Sequence, residues 1–174
     1  MKGLWGSGAQ PFLYSFPIPG TQPSLSAHLP LKARPDVVVF QTEPLPEDVT
    51  VAGPILVKLY ASSTAVDTDF TAKLVDVYPL SKDYPSGYEM NITDGILRAR
   101  YRNSPEKQEF IKPGEVCEFA IEPFPTANVF KKGHRIRIDM SSSNFPRFDV
   151  NPNTGEPLGL ERRKVKADHS IYHD

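Results

Sequence analysis

The chain has little of what marks membrane, secreted or nucleic-acid-binding proteins. Its 174 residues include one cysteine, and its formal net charge is −1. A single cysteine excludes an internal disulfide, and a near-neutral charge lacks the excess of Lys and Arg that binds phosphates. No apolar run approaches the roughly 20 residues that span a bilayer. The start, MKGLWGSGAQPF, lacks the apolar core of a secretory signal. We therefore expect a cytoplasmic protein with neither nucleic acid nor membrane as partner.

The sequence also lacks a helical pattern. No window of about 11 residues or more carries an apolar stripe of helical period, and 18 prolines disfavour long helices. Apolar residues instead alternate with polar ones in short runs bounded by Pro, Gly, Asn and Asp, which is typical of strands in a β-sandwich or barrel. We predict an all-β, mainly antiparallel fold of about eight or more strands. The predicted strands are Asp36–Thr42, Val49–Ala52, Ile55–Ala61, Phe70–Tyr78, Ile96–Arg102, Val116–Glu122, His134–Met140 and Arg163–Ile171.

The alternation within these strands predicts which side chains face water. Cys117, Phe119 and Ile121 share the inward face of their strand. Ile55–Ala61 is apolar on both faces, which predicts a central strand buried on both sides. Charged residues are predicted to point outward from two further strands. The arginines of the first of these strands are either solvated or paired with carboxylates of a partner domain. The two outward sets are Arg98, Arg100 and Arg102, and Arg135, Arg137 and Asp139.

The first 33 residues differ from the rest. Prolines interrupt this segment repeatedly, and each proline removes a backbone donor that a sheet needs. We interpret residues 1–33 as a proline-rich arm or interdomain linker, and residues 34–174 as one domain.

The signatures of catalysis are weak. The nearest approach to the G-x-S-x-G turn of serine hydrolases is Gly6-Ser7-Gly8, which lacks the spacing. Nothing marks a Ser-His-Asp set, so we interpret the histidines as surface or strand-end residues. Cys117 is predicted to be a buried, unreactive thiol. The four histidines are His28, His134, His169 and His173.

Acidic and amide side chains raise the question of calcium. Carboxylate and amide oxygens are ligands that calcium prefers, but Asn and Asp are also common in turns, where they bond the backbone. We favour the turn role, and predict neither a metal nor a cofactor. The residues concerned are Asp67, Asp69, Asp76, Asn144, Asp149, Asn151 and Asn153.

Several motifs resemble one family. They include TDFTAKLVDVYP at Thr68–Pro79, NITDGILRARYR from Asn91, and SSSNFPRFDVNPNTG at Ser141–Gly155. These segments resemble the C-terminal domain of the X-Pro dipeptidyl-peptidase and cocaine-esterase-like serine hydrolases, over roughly Arg34 to Asp174. The resemblance implies a jelly-roll β-sandwich, similar in shape to galactose-binding domains. It also implies a non-catalytic domain that packs on an α/β-hydrolase domain, in cis or as a separate chain, and whose loops help to wall the substrate pocket.

In that family the catalytic Ser, Asp and His lie upstream of this domain, so the resemblance assigns no catalytic residue here, and we expect the isolated chain to be inactive. The family continues beyond the IYHD segment with one more apolar strand, so we predict an open edge that pairs with a second copy. An alternative function is a stand-alone carbohydrate- or small-ligand-binding module with a shallow aromatic site. The residues implied in the pocket or domain interface are Leu59, Tyr60, Asp67, Asp69, Phe70, Asn144, Phe145, Arg147 and Phe148.

Overall fold

The computed structural model describes residues 34–172 and the backbone of residues 12–13. The described part is almost entirely strand, and none of its helices is long or apolar enough to cross a membrane. Apart from the backbone of residues 12–13, the proline-rich arm lies outside the described residues. His28 and His173 lie outside them as well. The strands are β1 (Phe12–Leu13), β2 (Val38–Gln41), β3 (Val49–Gly53), β4 (Val57–Ser63), β5 (Asp69–Tyr78), β6 (Tyr88–Arg98), β7 (Cys117–Ile121), β8 (Thr126–Phe130), β9 (Arg135–Ser141) and β10 (Asp168–Tyr172).

The strands form two four-stranded sheets and one pair. The first sheet has the order β1-β10-β4-β7, the second has the order β2-β9-β5-β6, and β3 pairs with β8. Each of these pairings is antiparallel. The all-β, antiparallel fold is therefore confirmed. A jelly-roll arrangement is compatible with these sheets and stays a prediction.

The core lies between the two four-stranded sheets. Phe70 of β5 and Phe119 of β7 come from different sheets, and their ring centroids are 4.7 Å apart. Cys117 packs against this core with Phe119 and Ile121, as the alternation predicted. The buried residues of the core cluster are Val38, Leu59, Ala61, Phe70, Ala72, Ala99, Ile111, Phe119, Ile121 and Met140.

The predicted strand Ile96–Arg102 is wrong at its second half. β6 ends at Arg98, and Ala99–Tyr101 form one turn of 3-10 helix. The backbone N–H of Ala99 donates to the Thr68 carbonyl, and that of Arg100 donates to Asp67 Oδ1. These bonds turn the chain inward, so Arg100 is buried instead of exposed.

Burial also corrects other predicted orientations. Arg137 and Asp139 were expected in solvent, but they are only 1% and 2% exposed. Leu56 and Tyr60 are exposed, so the strand around them is buried on one face only. β8 was not predicted, because its apolar Ala127 and Val129 are exposed and the period-two signal is absent.

Candidate functional site

An ionic network lies at the beginning of β5. The Arg100 guanidinium Nε donates to Asp67 Oδ2 at 2.8 Å, and both side chains are almost fully buried. Arg98 binds Asp69 through two bonds of 2.8 and 3.0 Å. Two-point arginine–carboxylate pairs fix direction as well as distance. Arg98 and Arg100 therefore pair with carboxylates of their own domain. The expectation that they are solvated or directed at a partner domain was wrong.

Asn151 connects this network to the long loop that follows β9. Its amide Nδ2 donates to Asp67 Oδ2 and to Asp69 Oδ1, each at 2.9 Å. Its Oδ1 accepts the backbone N–H of Asn153, a residue with positive φ (64°). The loop over residues 141–155 is therefore fixed to β5 from inside the domain.

Burial and pairing act in opposite directions on Asp69. Loss of hydration raises the pKa of its carboxyl, while Arg98 and Asn151 oppose that rise. The hydrogen bond with Asp69 raises the pKa of Arg98 further. Asp67 and Asp69, two of the carboxylates that were considered as calcium ligands, thus face guanidinium groups. Among the described residues no cluster of three or more His, Cys, Asp or Glu is arranged to hold a metal ion.

A second group of residues, the Asp94 cluster, brings the same loop together with β6 and the β7–β8 connection, closer to the surface. Asp94 of β6 is 3% exposed, and it accepts a bond from Asn144 Nδ2 and an ion pair from Arg147 Nε, each at 3.0 Å. The Arg147 guanidinium lies 5.9 Å from the ring centroid of Phe124 and 5.7 Å from that of Phe148. We define the Asp94 cluster as these five residues together with Phe145.

The cluster presents apolar rings to water. Phe145 is 70% exposed and Phe124 is 62% exposed. Arg147 is held by the buried Asp94 but keeps about half of its side-chain surface accessible. Aromatic residues and arginine are the types enriched at the centres of protein interfaces. The composition of the Asp94 cluster, with Arg147 anchored to Asp94, therefore suits contact with another protein surface.

Gly95 is the reason that Phe124 can reach the cluster. A Cβ on Gly95 would lie 2.8 Å from the Cα of Pro123, a distance that backbone atoms cannot accommodate. The absence of a side chain lets the β7–β8 connection cross β6 closely. Thr93 then donates its hydroxyl to the Phe124 carbonyl at 2.8 Å.

A small cleft of about 130 Å³ adjoins the Asp94 cluster on the outer face of β5 and β9. Lys73 lies in register between Asp139 and Asp94 on the neighbouring strands. Burial raises the pKa of the Asp139 carboxyl, and the Arg137 guanidinium opposes this. The cleft is lined by Arg34, Val37, Lys73, Asp139, Ser141, Ser143, Asn144 and Phe145.

The described histidines do not assemble a nucleophile. His134 Nδ1 lies 2.9 Å from Asp76 Oδ1, and its ring contacts Tyr78. His169 was expected near the surface, but it is 3% exposed, and its Nε2 lies 3.4 Å from the Thr68 hydroxyl. Within residues 34–172 no serine or cysteine side chain hydrogen-bonds either imidazole.

The structure separates the residues implied in the pocket or interface into three places. Asn144, Phe145, Arg147 and Phe148 come together in the Asp94 cluster. Tyr60 lies on the outer face of the first sheet, bonded to Glu118. The others are in the interior, so any part they have in a pocket is to position other residues; these are Leu59, Asp67, Asp69 and Phe70.

Sequence reasoning missed Asp94 and Phe124. It considered Asn151 only as an oxygen ligand for calcium. Asp94 belongs to the NITDGILRARYR segment, where it reads as an ordinary turn residue. Phe124 is flanked by two prolines, and an aromatic residue in such a rigid connection is the signal that was available.

The fold and these sites define a class: an antiparallel β-sandwich with a rigid surface loop and with no nucleophile assembled in its described part. Residues 10–174 match the family described as the X-Pro dipeptidyl-peptidase C-terminal non-catalytic domain. The chain belongs to this family, as the motifs indicated.

Relatives with known names are hydrolases. Cocaine esterase from Rhodococcus sp. (strain MB1 Bresler) is 46% identical over 133 residues, which are 76% of this chain. The structure of an α-amino acid ester hydrolase matches 82% of the chain at 34% identity with a TM-score of 0.76. An aminopeptidase from a marine sediment Thaumarchaeota archaeon matches 80% at 34% identity with a TM-score of 0.75. The chain spans only 22% of the esterase and 24% of each of these two structures.

Proposed function

We propose that this chain is the accessory domain of a serine hydrolase of the X-Pro dipeptidyl-peptidase and acyl-esterase type. In this proposal it packs on an α/β-hydrolase catalytic domain through the Asp94 cluster, and the loop over residues 141–155 helps to wall the substrate pocket. Membership of a non-catalytic domain family supports this, as does the length of the related hydrolases, of which this chain spans only 22% and 24%.

One observation carries the choice of surface. Arg147 is anchored to a carboxylate that is 3% exposed, and its guanidinium lies 5.9 and 5.7 Å from the centroids of two phenylalanine rings. A monomeric protein gains little by anchoring an exposed Arg side chain beside exposed Phe rings, whereas an interface gains because less side-chain entropy of the arginine is lost on binding. Pockets also occur preferentially where two domains meet, and the adjoining cleft lies beside this surface.

The test combines this chain with a catalytic part that lacks its own C-terminal domain. Rhodococcus cocaine esterase truncated before the segment that matches this chain provides that part. We expect the two pieces to bind, measured by calorimetry, and esterase activity on a p-nitrophenyl ester to rise on mixing. This chain alone should give no activity above the uncatalysed rate.

Variants locate the contact. Phe145→Ala and Arg147→Ala should each weaken binding by tenfold or more, because truncated interface hot spots cost about 2 kcal/mol or more. Leu80→Ala is the matched control, since Leu80 is 74% exposed but lies at the distant β5–β6 turn. Equal affinity of all three variants would contradict the assignment of the Asp94 cluster, and no binding of the wild-type chain would contradict the accessory function.

A further inference from the structure

Three tyrosines form a second exposed surface at the β5–β6 turn. Tyr84 and Tyr88 have ring centroids 5.1 Å apart and planes inclined by only 18°, so they stack. Tyr78 meets both rings edge-on, at 5.7 and 5.5 Å. Tyr84 and Tyr88 are 41% and 44% exposed. We call Tyr78, Tyr84 and Tyr88 the tyrosine platform.

The platform is held rigidly by its own turn. The Tyr84 N–H donates to the Ser81 hydroxyl at 3.0 Å, and the Tyr84 carbonyl accepts the N–H of Gly87 at 2.9 Å and that of Ser81 at 3.0 Å. Gly87 has φ of 76°, which favours glycine. On the inner side, the His134 ring contacts Tyr78 with centroids 4.3 Å apart. Ring faces that are already ordered bind a ligand with little further loss of entropy.

The platform is separate from the Asp94 cluster and from the core. Asp94 lies six positions beyond Tyr88 on β6, which is roughly 20 Å along a strand. None of the three tyrosines belongs to the core cluster. Their packing is therefore not explained by the sandwich interior or by the proposed docking surface.

The size of the surface favours a small ligand over a protein. A buried aromatic side chain covers about 150–250 Å². Two half-exposed tyrosines with the neighbouring Leu80 and Met90 therefore offer a few hundred Å², while a stable protein interface needs about 800 Å² from each partner. Tyrosine also keeps hydroxyl groups at the rim of each ring face, which suits a ligand with many hydroxyls.

We propose that the tyrosine platform binds a carbohydrate by stacking a sugar ring on an outer ring face of the Tyr84–Tyr88 pair, since the inner faces of these two rings cover each other. A pyranose carries a face of C–H bonds with partial positive charge, which matches the negative face of an aromatic ring. Its equatorial hydroxyls point sideways, where the phenol groups and solvent can bond them. This proposal does not depend on the accessory function, so either proposal can be correct when the other is wrong.

The experiment titrates the whole chain with sugars. The probes are D-galactose, cellotetraose, xylotetraose and maltotetraose. Their binding is measured by calorimetry and by the NMR shifts of the tyrosine ring protons. We expect at least one sugar to shift the Tyr84 and Tyr88 signals and leave those of Tyr172 in place. Tyr172 is a matched control because it is 42% exposed on a different sheet.

Variants decide whether the rings carry the binding. Tyr84→Ala and Tyr88→Ala should weaken binding by about tenfold or more, while Tyr88→Phe keeps the ring face and most of the affinity. Tyr172→Ala should bind like the wild type, and thermal melts confirm that each variant folds. The proposal is overturned if none of the four sugars binds, or if Tyr172→Ala loses as much affinity as Tyr88→Ala.

Discussion

Asp67 is the residue on which the interior of this domain most depends. It accepts the Nε–H and the backbone N–H of Arg100, and also the amide of Asn151, while its own side chain is fully buried. Charges in such an environment are tolerated only when every lone pair and proton is bonded. The pair therefore helps to fix how the chain turns after β6, because the turn brings the backbone N–H and the guanidinium of Arg100 to the same carboxylate.

Removing one member of this pair should destabilise the domain strongly. Asp67→Ala leaves the Arg100 charge buried without its partner, and we expect the free energy of unfolding to fall by about 3–5 kcal/mol. Urea denaturation monitored by circular dichroism measures this. Lys131→Ala is the control, since it removes an exposed pair with Asp48 and should leave the midpoint nearly unchanged. Similar midpoints for the two variants would show that the buried pair is dispensable.

His169 should make stability depend on pH. Burial lowers the pKa of its imidazole from 6.5 to about 4, although nearby Asp168 opposes this. Between these two values the unfolded chain binds a proton that the folded one does not, so this contribution is complete above pH 6.5 and is lost as the pH falls toward 4. We expect wild-type stability to fall relative to His169→Gln, by about 3 kcal/mol in total.

The measurement is a set of urea curves for both proteins across this pH range. All other titrating groups are shared, so subtraction isolates His169. A difference between the two proteins that stays constant from pH 6.5 to 4 would mean that the imidazole titrates normally despite its burial.

At the scale of elements, the loop over residues 141–155 depends on its anchor. Asn151→Ala removes two bonds to carboxylates and leaves the acceptors buried, which should cost about 2–3 kcal/mol. The same change frees the N–H of Asn153, so its hydrogen exchange should accelerate. Asn103→Ala is the control, because Asn103 is exposed and bonds only Glu109. Unchanged exchange in the loop would contradict the anchoring role.

Gly95 tests the crossing of β6 by the β7–β8 connection. In Gly95→Ala the new Cβ meets the Pro123 backbone, so the connection must move and Phe124 moves with it. We expect a loss of about 1–3 kcal/mol of stability, as in other overpacked sites. Binding to the catalytic part should weaken as well, measured by calorimetry as for Phe145→Ala. A variant with wild-type melting and binding would show that the contact relaxes without consequence.

The sequence was sufficient for strands whose burial follows the period-two rule, and insufficient where charges are buried. Cys117–Ile121 was predicted correctly because apolar and polar residues separate onto two faces. Arg137 and Arg100 were predicted outward because a pattern assigns charge to water. Their distant partners are not visible in a local window: Arg100 bonds Asp67, 33 residues earlier, and Arg137 bonds Glu89, 48 residues earlier, in addition to Asp139 on its own strand. Four of the six residues of the Asp94 cluster were predicted because they share one loop, whereas Asp94 comes from β6 and Phe124 from the β7–β8 connection.

At the scale of the whole molecule, the chemistry of the surface matters more than the stability of the fold for whether copies of the chain associate. The net charge of −1 provides little repulsion between copies, and the Asp94 cluster and the tyrosine platform both expose rings. One strand edge is also incompletely paired. β1 pairs only with Asp168 and His169 of β10, so residues 170–172 have a strand partner on one side only within the described part of the chain.

This edge leads to a prediction about the isolated chain. Unpaired backbone groups on a strand edge favour pairing with a second copy, and a lysine on the edge opposes it because two copies then bring like charges together. We expect light scattering to show a mass that rises with protein concentration, and Ser170→Lys to return it to that of the monomer. Phe145→Ser separates this route from association through the Asp94 cluster: if it abolishes the rise while Ser170→Lys does not, the aromatic surface and not the edge brings the copies together. A constant monomer mass for the wild-type chain would contradict both routes, because it would mean that neither surface is adhesive enough to act without a catalytic partner.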